Sequence, residues 1–227
     1  MMGLVQAPPP ATNLLCFGDS VTYGELDEVG GGWVNRLKGE CLRRIAAGWV
    51  PEVRVHNLGL GGETTRGLRQ RFEAELGPRT GDPAHAIALL AYGTNDAVQR
   101  AGEPLVPLEE FRANLAHCIL AARGRGLRVA LVNVTPIAPE REGRANENGS
   151  VRSAATIARY NASLAALAAD TGAHLVDVHG PLARSAPGWL RPDGVHPNHE
   201  GHRRLFEIVL PEIDGLLGRR ARIRGQV

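Results

Sequence analysis

Five short apolar runs, separated by longer stretches with helical spacing, limit most strongly what this chain can fold into. The runs cover residues 13–17, 53–58, 86–92, 127–134 and 173–178 and read as strands. The third is apolar almost without interruption, as expected of a strand buried on both faces. Between them, residues 33–47 place Val34, Leu37, Cys41, Leu42 and Ile45 on one side of a helix. Residues 64–76 repeat Leu68, Phe72 and Leu76 at i, i+4 and i+8. Residues 108–123 form a third helical stretch that Gly124 and Gly126 can end. An Ala-rich stretch over 151–171 is closed by Gly172, and Asn198 can cap a last helix reaching about Leu217. Strands alternating with helices imply βαβ units, right-handed crossovers and a parallel sheet. The expected architecture is α/β: a three-layer α/β/α sandwich around a flavodoxin-like five-stranded parallel sheet.

No repeat and no long linker divides the 227 residues, so the expectation is a single domain over 12–217. An extended tail containing Pro8, Pro9 and Pro10 precedes it (1–11), and a basic tail follows (218–227). The net charge of +2 belongs to that tail, where Arg219, Arg220, Arg222 and Arg224 sit; the body alone is about −2. Such a balance gives no support to a nucleic-acid surface. Cys16, Cys41 and Cys118 are scattered and odd in number, which suggests thiols in a reducing compartment and neither a disulfide framework nor a zinc site. The N-terminus lacks a charged region ahead of an apolar core, so it does not read as a signal peptide. No apolar run approaches the roughly 20 residues of a membrane span. A cytoplasmic location is expected.

In open α/β sheets, sites form where the strands end at their carboxyl edge. Four polar blocks fall there. Gly18-Asp19-Ser20 follows the first run, Asn57 to Thr64 the second, and Gly93-Thr94-Asn95-Asp96 the third; Asp193-Gly194-Val195-His196 precedes the last helix. Together they hold the parts of an acyl-transfer site. A serine hydroxyl is a weak nucleophile until a base takes its proton, and His196 can serve as that base for Ser20. Asp193, three residues earlier, can accept the other ring N–H and fix the tautomer. The Ser20 and Gly62 amides and the Asn95 side chain can donate to an oxyanion. No cofactor is needed.

These blocks resemble the GDSL/SGNH hydrolase family, whose name comes from the Ser, Gly, Asn and His that stand here as Ser20, Gly62, Asn95 and His196. The resemblance spans about Leu14 to Leu217. It implies the flavodoxin-like sandwich, Ser20, Asp193 and His196 as a triad, and Ser20, Gly62 and Asn95 as the oxyanion hole. Val21 stands where the family name has leucine, and Glu63 where aspartate is frequent. Both departures bear on substrate more than on chemistry. The implied activity is hydrolysis of a small-molecule ester through an acyl-Ser20 intermediate. Carbohydrate O-deacetylation, lysophospholipid cleavage and thioester cleavage use the same residues.

Each block alone has a simpler reading, as turn or capping residues; conjunction in order, at successive strand ends, carries the catalytic one. A binding module on the same sheet would have no use for an Asp-His pair behind a serine. His196, His199 and His202 do not match a metal-binding spacing, so His199 and His202 are expected on the first turns of the last helix. Tyr23 and Trp189 are candidates for an acyl pocket or for packing. The polar stretch 136–150 is expected to border the cleft and to suit a polar or short-chain substrate.

Overall fold

The computed structural model describes residues 10–49 and 51–218. Most of the N-terminal tail and the basic C-terminal tail lie outside the described residues. Five parallel strands form the sheet: β1 (Thr12–Gly18), β2 (Val53–Gly59), β3 (Ala86–Ala91), β6 (Arg128–Val132) and β7 (His174–Val176), in the order β2-β1-β3-β6-β7. A small antiparallel hairpin, β4 (Gln99–Arg100) with β5 (Glu103–Pro104), stands outside it. The longer helices are α2 (Trp33–Ala46), α3 (Thr65–Thr80), α4 (Leu108–Gly124), α5 (Ala154–Thr171) and α7 (His199–Leu216); α1 (Ser20–Tyr23) and α6 (His179–Ala183) are short.

Strand side chains alternate between faces, so the sheet divides the core in two. Leu15, Phe17, Ala88 and Leu90 pack with Leu68, Phe72, Phe111, Leu115, Tyr160 and Leu164 under α3, α4 and α5. Leu14, Cys16, Ile87 and Leu89 pack with Trp33, Leu37, Leu205, Val209 and Ile213 under α2 and α7. The three expected layers follow.

The register sets the functional rim. Gly18 lies level with Gly59 and Ala91, Ala91 with Val132, and Val132 with Val176. The loops that leave these ends therefore start on one line.

Several expectations needed correction. Leu42 is 56% exposed, and Arg44 takes the buried position on α2. The buried stripe runs through Trp33, Val34, Leu37, Cys41 and Arg44, and Leu42 is turned away from it. Burial of Arg44 is balanced by Glu40 at 2.7 Å and Asp214 at 2.6 Å. Helix α3 runs past Leu76 to Thr80 although it contains Pro78. The Thr80 hydroxyl donates to Leu76 O at 2.8 Å and adds a side-chain bond in the last turn beyond the proline. The fourth and fifth strands are shorter than read, and α5 starts at Ala154, where Ser153 accepts from the Thr156 amide.

Leu90 is fully buried on the central strand, whereas Leu120 is 68% exposed on α4. Leu90→Ala is expected to cost about 2–5 kcal/mol in denaturant unfolding, against less than about 0.5 kcal/mol for Leu120→Ala.

Candidate active site

The turn that carries Ser20 is built by close approach. A Cβ on Gly18 would fall 2.0 Å from Thr22 Oγ1 and 2.9 Å from Ala91 O, so only glycine lets α1 fold back over the end of β1. Asp19 then caps α1, its Oδ1 accepting from the Val21 amide at 2.9 Å. Burial pushes the Asp19 carboxyl up to about 6, against the Val21 amide and the charges of Arg152 and His196. Ser20 opens α1 and is 5% exposed. Its Oγ lies 3.0 Å from His196 Nε2.

Asp193 and His196 share one tight loop. Asp193 Oδ1 accepts from the amides of Val195 (2.8 Å) and His196 (3.0 Å), and its Oδ2 lies 2.8 Å from His196 Nδ1. One carboxylate thus shapes the loop and orients the ring. Burial would raise the Asp193 carboxyl, but those two amides and the imidazole outweigh it and hold the group below its ordinary value. The structure therefore brings Ser20, His196 and Asp193 into one hydrogen-bonded line, with Nδ1 bound to the acid and Nε2 facing the hydroxyl.

Gly62 and Asn95 stand at the ends of the β2 and β3 loops. Gly62 has φ +73, in the left-handed region, and open space where a side chain would begin. Among the described residues its amide donates to no partner. Asn95 Nδ2 donates to Glu63 O at 3.0 Å and keeps a second N–H for another acceptor.

A layer of polar residues that the sequence did not announce supports these groups. Arg71 grips Glu63 with two bonds of 2.8 and 2.7 Å and donates to Leu58 O at 2.6 Å, while the Tyr92 hydroxyl donates to Glu63 Oε2 at 2.6 Å. This pins the residue beside Gly62 to the end of β2. Asp96 accepts from the Thr65 amide (2.9 Å) and hydroxyl (2.5 Å), so it caps α3 from another loop and ties the third block to the second. Arg152 donates to Thr94 O and lies 3.4 Å from Asn95 Oδ1. Glu63 stood out in the sequence only as a departure. Arg71 and Arg152 carried no signal, because their partners are 8 and 57 residues away in the chain.

Other sequence candidates separate. His199 is half exposed and lies 3.5 Å from Asp27, whereas His202 is fully buried and pushed down to about 4 by that burial. Among the described residues no three His, Cys, Asp or Glu side chains gather as a metal site requires, and no helix is long and apolar enough to cross a membrane. Tyr23, at the end of α1, is 59% exposed. Trp189, at 6%, lines a cavity of about 670 Å³ whose walls come from residues 136–141 and from the segments just before and within the Asp193 loop.

Asp96 is fully buried, and its Oδ2 has no protein partner among the described residues. Burial pushes its carboxyl up to about 6. A buried acid raised in this way stabilises the fold below the unfolded value and loses that contribution as pH climbs through the folded one. Asp96→Asn keeps the acceptor for Thr65 and removes the titration. The variant should gain stability relative to the parent, by roughly 1–3 kcal/mol, between about pH 4 and about pH 7. A difference in urea midpoints that stays flat over this range would exclude Asp96 as the titrating group.

A model of the GDSL-like Lipase/Acylhydrolase family matches residues 16–204. An acetylxylan esterase of Geobacillus stearothermophilus is 28% identical over 220 residues, covering 88% of this chain and 93% of that protein. Esterase TesA of Pseudomonas aeruginosa is 26% identical over 207 residues, covering 91% of this chain and 90% of that protein. An uncharacterized lipoprotein of Bacillus subtilis, YqeF, is 30% identical over 131 residues, and the match spans 49% of its length and 55% of this chain. Among solved structures, a lipase/acylhydrolase from Enterococcus faecalis superposes with a TM-score of 0.71 at 26% identity, covering 90% of this chain and 96% of that one. The chain belongs to the GDSL-like Lipase/Acylhydrolase family of ester hydrolases.

Proposed function

We propose that this chain hydrolyses carboxylic esters of small molecules through an acyl-Ser20 intermediate. The observation that carries the reading is the line from Ser20 Oγ to His196 Nε2 (3.0 Å) and from His196 Nδ1 to Asp193 (2.8 Å), at the rim from which the loops of Gly62 and Asn95 also leave. His196 Nε2 takes the Ser20 proton as Oγ bonds to the ester carbon. The amides of Ser20 and Gly62 and the Asn95 Nδ2–H donate to the oxygen that becomes negative. Collapse of the tetrahedral species breaks the bond to the alcohol oxygen, and His196 returns the proton to it. A water then gives a proton to His196 and attacks the acyl carbon, and the acid leaves as Ser20 recovers its hydrogen. Asp193 stays ionised throughout, in keeping with a carboxyl held below its ordinary value.

A second reading, carbohydrate O-deacetylation, is favoured by the acetylxylan esterase, which this chain matches along nearly its whole length. The polar stretch beside the cleft, with Glu140, Arg141, Glu142 and Arg144, supports a polar substrate over a long acyl chain. Three buried cysteines (Cys16, Cys41 and Cys118) are consistent with the cytoplasmic setting we propose.

A fluorophosphonate probe should add its mass at Ser20 and nowhere else on the chain. Ser20→Ala should lower kcat on p-nitrophenyl acetate by about 10⁴-fold or more, and Asn95→Ala by about 10²–10³-fold. A wild-type rate in Ser20→Ala would overturn the assignment of the nucleophile. Acetylated xylo-oligosaccharides compared with p-nitrophenyl esters of increasing chain length would separate the deacetylase from a general esterase.

A further inference from the structure

About half of the arginines among the described residues form ion pairs, as Arg71 with Glu63 and Arg44 with Asp214. Among the described residues, neither Arg141 nor Arg152 forms an ion pair. Both come from the segment between β6 and α5, and both turn toward the catalytic loops. Arg152 reaches Thr94 and Asn95 on the oxyanion side. Arg141 lies across the acid-base loop: a Cβ on Gly194 would fall 2.3 Å from its Cγ, and the Ala138 amide donates to Gly194 O at 2.9 Å. The Arg141 Nε is buried with no hydrogen-bond partner among the described residues. The charges around the pair are Asp19 and Asp193, which act on Arg152 through space, and Arg141 itself, which opposes it.

An unneutralised guanidinium held beside a low-dielectric wall favours an anion that presents two oxygens to its fork. Here a receptacle adjoins it. The cavity of about 670 Å³ is lined by Arg141 and Arg191, by apolar Ile137, Leu182 and Trp189, and by one carboxylate, Glu140. Its side of the site also matters. His196 hands its proton to the departing alcohol, so the alcohol leaves on the side of the 193–196 loop, against which Arg141 lies.

We infer that the cavity receives the alcohol part of the ester, and that Arg141 binds an acidic group carried on it. The inference rests on the serine-esterase reading above and narrows its substrates to esters of partly apolar alcohols bearing a carboxylate or a phosphate. The shared chemistry is an oxyanion with two oxygens within reach of one guanidinium. Burial lowers the Arg152 guanidinium from its ordinary value, and an anion nearby relieves that cost as well.

The test compares three acetate esters that differ only in the para group of the phenol: 4-acetoxybenzoate, 4-acetoxyphenyl phosphate and the neutral 4-acetoxybenzamide. At least one anionic ester should show kcat/KM about tenfold or more above the amide, after correction for their rates with hydroxide. The larger of the two advantages identifies the group. Arg141→Gln should bring the ratio of anionic to neutral ester close to one, while Arg141→Lys should keep part of it. A parent protein with no preference for either anion would overturn the inference. So would an Arg141→Gln protein that loses both kinds of ester in equal proportion, since that is a structural effect. Calorimetric binding of the same three compounds to Ser20→Ala reads the preference without catalysis. A failure of ester hydrolysis is thereby told apart from a failure of the anion site.

Discussion

The level ends of the central strands are the constraint on which the rest depends. Parallel pairing places Gly18, Gly59 and Ala91 on one line, and the three loops that leave them must share a rim. Everything chemical is then a matter of how each loop leaves its strand. Gly18 allows a sharp return into α1, Gly62 a left-handed turn, and the third loop carries Asn95 forward with Asp96 anchored below it. The helices on both faces hold the sheet from above and below, so the rim cannot spread without opening one of the two cores.

The polar groups behind the site fall into two kinds. Asp193 and Asp19 accept from backbone amides of their own loops, two and one respectively, and place His196 and Ser20 by doing so. Glu63, Arg71, Tyr92, Asp96 and Arg152 act across loops, linking segments that are distant in sequence. The first kind makes local shape, and the second makes the loops move as one body. An isolated Asn95 amide would be free to flip. With Glu63 O on its nitrogen and Arg152 on its oxygen, its donor end is set before substrate arrives.

Much of this was legible in the sequence, for a physical reason. Burial on both faces writes a strand such as β3 as a plain apolar run, and Ser20, Gly62 and Asn95 follow within a few residues of the ends of β1, β2 and β3. The Asp193–His196 spacing was legible because both partners lie on one turn. What escaped was long range or masked by composition. Arg152 supports Asn95 from 57 positions away, and the hairpin of β4 and β5 has strands of two residues, too short to show a period. Leu42 misled because its apolar character fits a buried stripe, whereas the helix angle puts Arg44 there and lets Glu40 and Asp214 neutralise it.

The two halves of the site differ in what anchors them. Ser20, Gly62 and Asn95 hang from strand ends inside the sheet. His196 and Asp193 ride on a loop secured by a few hydrogen bonds, from Arg191 to His196, Asn198 to Trp189 and Ala138 to Gly194. Opening of that loop would uncover Trp189 and Val195, which are buried, so apolar packing adds to those bonds. The placement of His196 therefore depends on packing at the loop as well as on the sheet. Trp189 thus serves two ends at once, filling the core under α2 and α7 and walling the cavity beside the imidazole that faces Ser20.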